Sequence, residues 1–122
     1  MLGNILVVLV AVLHLAFLYL EMFLWTKPLG RKIFRNTPQK AEDSAILAAN
    51  QGLYNGFLSA GLLWGVFHPD VMVGDQIKFF FLICVIVAGL YGALSVSKRI
   101  FYIQALPALL ALIVTFMLKT WP

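Results

Sequence analysis

The chain has 122 residues, 62% hydrophobic and 11% charged, which excludes an ordinary soluble globular domain, where about 25% of residues are charged. Nine Lys and Arg against five Asp and Glu give a formal charge of +4. These basic residues are spread between apolar stretches rather than gathered on a polar surface, so nucleic-acid binding is not expected.

A bilayer-crossing helix needs ~20 mostly apolar residues. Four such stretches can be marked, at about 2–25, 45–67, 77–96 and 100–118. They predict one transmembrane domain over residues 1–122, an all-α, antiparallel four-helix bundle. The first stretch lacks the basic n-region and small-residue cleavage site of a signal peptide and is too long for an h-region, so it reads as a retained span. Lys27-Pro28 stops it, and Trp25 suits the interfacial aromatic belt.

Between the first two spans, Leu29, Ile33 and Phe34 mix with Arg31, Lys32 and Arg35. This segment reads as a topology-setting loop that can lie among headgroups, so membrane lipid is an expected partner. Thr37-Pro38 reads as an N-cap followed by proline at the first helical position. The second span is expected to run to about Phe67, where His68-Pro69-Asp70 ends it, and a short loop containing Gly74 leads to the third. Only Ser97-Lys98-Arg99 separates the last two spans, which predicts a tight hairpin. Pro107 lies inside the fourth span and should free the Ile103 carbonyl and kink the helix.

Lys27, Arg31, Lys32, Arg35, Lys40, Lys98 and Arg99 fall in the two connections on one side, against Lys78 and Lys119 on the other. The positive-inside rule puts those seven in the cytoplasm and both termini on the outer side. Cys84 has no cysteine partner within the chain and reads as a small core residue.

Stripes of small residues are expected to bring the helices close. They are Gly52, Gly56 and Ala60 on the second span; Ala88, Gly92 and Ser95 on the third; and Gln104, Ala108, Ala111 and Thr115 on the fourth. Such stripes suit packing within a monomer more than dimerisation, although a homo-oligomer is compatible with them.

The chemistry-bearing feature is Glu21, near the cytoplasmic end of the first span. Acids inside a membrane are costly and are functional candidates by default. Asn50, Gln51, Asn55, Tyr91, Ser95 and Gln104 reach a similar depth once the chain is folded back and forth, and Tyr54 accompanies Asn50 on its helix. His14 shares the face of Glu21 but is ~10 Å away along the axis. That distance is too long for joint ligation of a metal, and the spans hold few other ligands, so no metal ion or other cofactor is expected. His14 is best read as a neutral histidine bonded to a neighbouring helix. These polar groups could also simply satisfy one another, but an acid is an inefficient choice for that role because an amide would serve without an ionisation cost.

Four stretches carry a resemblance: Glu21–Trp25, Ala49–Leu58 with its Asn-Gln-Gly-x-Tyr-Asn-Gly run, Ala88–Ala93 and Gln104–Ala108. They resemble an uncharacterised group of small bacterial four-span membrane proteins, catalogued as a domain of unknown function. The resemblance covers roughly His14 to Leu112, with Ser59 standing where the group's alanine is expected. It implies the four-helix fold, a multi-pass protein of the bacterial cytoplasmic (inner) membrane, and the same polar residues. It brings no reaction with it.

The leading functional expectation is a polar intramembrane pocket near the cytoplasmic side that binds a small lipophilic molecule. Glu21 would be the candidate acid or base there, and Asn50, Gln51, Tyr54, Asn55, Tyr91, Ser95, Gln104 and His14 the candidate ligand-binding residues. Binding alone and binding with conversion are both compatible with these residues, so enzyme status stays open. The alternatives are a proton-coupled exporter, like small multidrug carriers with an acid in the first span, and an accessory subunit whose polar face meets a partner helix. The seven-to-two basic bias argues for a single orientation, unlike carriers that insert both ways.

Overall fold

Proline and capping side chains set several of the helix starts. In a computed structural model that describes residues 1–122, the chain is all-helical. Helix α1 is Leu2–Phe23, α2 Pro28–Phe34, α3 Pro38–Phe67 and α4 Val71–Ser95; a π-helical turn over Phe101–Ala105 leads into α5, Leu106–Leu118. The Lys40 N–H donates to the Thr37 hydroxyl at 3.2 Å, so Thr37 and Pro38 start α3 as the sequence predicts.

Two sequence expectations are corrected, and a third takes a specific form. The basic segment after the first span is helical: Pro28 opens α2, and Arg35 ends it in the left-handed region with φ 56°. Gly74 lies inside α4 rather than in a loop, because the Asp70 carboxyl accepts the Val73 N–H at 3.1 Å and starts that helix early. The disturbance near Pro107 takes the form of a π turn, in which the Leu106 N–H reaches back to the Phe101 carbonyl.

Three helical stretches are long and apolar enough to cross a membrane: Leu2–Phe23, Val71–Ser95 and Phe101–Leu118. Helix α3 has the length, with 30 residues, but Asn50, Gln51 and Asn55 interrupt its apolar run. Large apolar side chains such as Leu9, Phe80, Leu94 and Met117 stand exposed around the outside. Contiguous apolar surface of this kind is foreign to a soluble monomer and suits a membrane.

The chain divides into two compact units. One comprises Met1–Val12 and Leu58–Pro122. Its core holds Val7, Val10, Ala11, Leu62, Leu82, Val85, Ala108 and Ala111. Helix α4 turns at Ser97 and runs antiparallel to the π turn and α5, with Gly89 so close to Ala105 that a Cβ there would lie 2.7 Å from the Ala105 nitrogen. The inner face of α4 therefore runs through Leu82, Val85 and Gly89, while Ala88 and Ser95 of the expected stripe are exposed. On α5 the expected Ala108, Ala111 and Thr115 are buried. Within this unit the Ser59 hydroxyl donates to the Ala11 carbonyl at 2.8 Å.

The other unit is Leu13–Phe57. Here α1 and α3 approach closely at Gly52, where a Cβ would lie 2.7 Å from Met22 Cγ and 3.2 Å from the Leu18 carbonyl. Gly30 lets α2 fold under the end of α1, since a Cβ would collide with the Leu24 carbonyl. Trp25 closes the connection: its indole N–H donates to the Ser44 hydroxyl at 3.0 Å, and its ring lies 4.7 Å from that of Phe34. The indole thus has a polar partner while its ring stays packed.

Candidate functional site

Glu21 arrives at its place through a seven-residue repeat. Val7, His14 and Glu21 recur every seven positions on α1, and all three are buried. On α3 the matching stripe is Ala48, Asn55 and Leu62, also buried. This period keeps one seam of each helix turned inward, as in coiled-coil packing. Gly52 removes the side chain that would hold the helices apart, and Asn55 follows one turn later at the level of the carboxyl.

The Asn55 Nδ2 donates to Glu21 Oε1 at 2.5 Å. Glu21 is 9% exposed and Asn55 is buried too. A carboxyl held by a neutral amide keeps its proton-binding capacity, whereas a fixed cation would lock it as a carboxylate. The arrangement can present an acid or base, or accept a hydrogen bond from a ligand donor.

The remaining sequence candidates take varied positions. His14 is buried, with the Phe17 ring edge-on at 5.4 Å. Asn50, Gln51 and Tyr54 are exposed on α3. Gln51 precedes Asn55 by one turn, yet the extra 40° of rotation over four residues carries it off the buried seam. Tyr91 is 74% exposed on α4, and the Ser95 hydroxyl returns to the Tyr91 carbonyl of its own helix at 2.6 Å. Gln104 is half-buried within the π turn. The structure thus joins Glu21 to Asn55, with Asn50, Gln51, Tyr54 and His14 in the same compact unit; Tyr91, Ser95 and Gln104 belong to the other.

Sequence reasoning missed a second polar cluster, in the unit that contains α4. Asp75 and Lys78 pair at 2.8 Å, one turn apart, and are 5% and 6% exposed. Lys78 Nζ also donates to Asn4 Oδ1 of α1 at 2.7 Å, and the Trp121 indole N–H donates to Asp75 Oδ2 at 2.9 Å. The available signal was the i, i+3 spacing of opposite charges. Because the third span was marked from residue 77, Asp75 fell just outside it and Lys78 counted only as a basic residue of the outer side.

A family model described as "Protein of unknown function (DUF1304)" matches residues 8–116. The chain is also 34% identical over 114 residues to the "Uncharacterized protein YpaA" of Lactococcus lactis subsp. lactis, strain IL1403, covering 92% of this chain and 94% of that protein. No solved structure matches it. With helices of membrane-crossing length and a family match that runs from α1 to α5, the chain belongs to the DUF1304 family of proteins of unknown function.

Proposed function

We propose that this chain is a four-span protein of the bacterial cytoplasmic membrane, with both termini outside, that binds a small lipophilic molecule through the Glu21 region. The observation that carries the reading is the buried Glu21 carboxyl bonded to the Asn55 amide. A structural bond between transmembrane helices is worth only about 0.6 kcal/mol on average, and an amide pair would supply it without an ionisable group. The exposed amides of Asn50 and Gln51 and the Tyr54 phenol lie on the same stretch of α3. Unsatisfied amides in hydrocarbon are costly, so these groups favour a ligand with a polar head.

Support for a fourth span comes from α3 itself. Its 30 residues reach about 45 Å, more than the ~30 Å hydrocarbon core. Ile46, Leu47, Phe57, Trp64 and Phe67 are exposed along it, which suits a helix facing lipid on one side. A topology reporter fused after Pro122 should be active only in a form that works outside the cytoplasm, and one placed near Arg35 only in a form that works inside. Activity of both reporter types at one position would contradict the single orientation.

Binding is tested by purifying wild type and Glu21→Gln in native lipid and identifying co-extracted small molecules by mass spectrometry. A molecule retained by wild type and absent from the variant is the expected result. Identical small-molecule content in both would contradict the reading.

A further inference from the structure

The unit that contains α4 and α5 carries an open cavity of about 210 Å3, lined in part by Gly3, Asn4, Asp75, Lys78, Thr115 and Lys119. The side-chain oxygens of Asp75 and Asn4 already hold partners. Asp75 Oδ1 is taken by Lys78, Asp75 Oδ2 by Trp121 and Asn4 Oδ1 by Lys78. Donors are left over. An ammonium carries three N–H groups, and Lys78 uses two, on Asp75 and Asn4. The amide N–H groups of Asn4 are a further donor pair.

Thr115 supplies an independent sign. It is 4% exposed, and its hydroxyl has no hydrogen-bond partner. A buried hydroxyl left unmade costs about 1–3 kcal/mol. Gly3 packs directly against it: a Cβ at that position would lie 3.0 Å from Thr115 Oγ1 and 3.3 Å from Thr115 Cα. Charge points the same way as hydrogen bonding. Asp75 cancels Lys78, and Lys119 brings a further ammonium to the lining, held over the Trp121 ring at 4.5 Å and donating to the Trp121 and Pro122 oxygens at 2.6 and 3.1 Å.

We propose that this cavity binds an oxyanion of the phosphate class, through the third N–H of Lys78, the Asn4 amide and the Thr115 hydroxyl. The phosphate group can come from a phospholipid headgroup or from free phosphate. Apolar Val71 and Leu118 at the lining suit the first source; the cavity volume admits either. This site is independent of the Glu21 reading, and it shares no residue with it.

The test uses the full chain purified in a phosphate-free maltoside detergent, titrated separately with inorganic phosphate and with dispersed phosphatidylglycerol. Bound ligand is counted by native mass spectrometry, and Kd is taken from the rise in melting temperature. Thr115→Val keeps the shape and removes only the unpaired hydroxyl, so it should fold at least as stably as wild type. It should bind about tenfold or more weakly, the loss expected for one hydrogen bond to a charged ligand. Gly3→Ala, which places a methyl against Thr115, should weaken binding as well. Binding of inorganic phosphate with these losses supports a free-ion site, and binding of phosphatidylglycerol alone supports a headgroup site. The proposal is overturned if neither probe binds, or if both variants bind as tightly as wild type.

Discussion

Around Glu21 a single carboxyl is buried against one neutral amide, whereas around Lys78 an acid and a base are buried together, with Asn4 and Trp121 completing their bonds. The second arrangement cancels its own charge and draws α1, α4 and the segment after α5 onto one cluster. The first leaves a group free to change protonation without breaking an ion pair. Pairing is how a fold tolerates charge it must keep; a lone acid with an amide partner is how it keeps one available.

The comparison predicts unequal responses to charge removal. Lys78→Met leaves Asp75 buried without its counter-charge and should destabilise the protein by about 3 kcal/mol or more. The double variant Asp75→Asn with Lys78→Met removes both charges and should recover most of that loss in a double-mutant cycle. If Lys78→Met unfolds at the same denaturant concentration as wild type, the contrast between the regions collapses.

A middle-sized effect is expected at Gly52. The methyl of Gly52→Ala would press on Met22, on Glu21 Cβ at 3.1 Å and on the Leu18 carbonyl. Backbone has to move, so a loss of about 1–3 kcal/mol is expected, with the Asn55–Glu21 bond lengthened. Unfolding together with the amide chemical shift of Asn55 Nδ2 would report both. An unchanged shift would show that the close approach does not position the pair.

Smaller still is Trp121→Phe, which deletes one indole N–H from Asp75 while keeping ring packing near Phe79. About 1 kcal/mol is expected. A loss as large as that of Lys78→Met would mean that the indole, rather than the ammonium, carries the cluster.

Much of this was legible in the sequence. Thr37-Pro38 identified the start of α3, and Ser97-Lys98-Arg99 the tight hairpin, because caps and short connections act locally. The DUF1304 match also agrees with the expected resemblance to an uncharacterised family. Glu21 stood out because it interrupts an apolar run, and the seven-residue interval from His14 placed both on one face. Asp75 and Lys78 did not stand out, since opposite charges beside an apolar run look like solvated ends. The Asp70 cap, which starts α4 at Val71, draws Asp75 into the same helix as Lys78. The π turn was hidden for another reason: Pro107 announces a disturbed hydrogen-bond ladder but not the form that the disturbance takes.

The most direct test of the central claim is the melting of wild type and Glu21→Gln with and without the small molecule that co-purifies with wild type. The substitution preserves shape and a hydrogen-bonding group. Without ligand, the variant should therefore melt within about 1 kcal/mol of wild type, as mild substitutions do. With ligand, wild type should be stabilised and the variant should not. Equal ligand stabilisation of both proteins would contradict the role given to the Glu21 carboxyl.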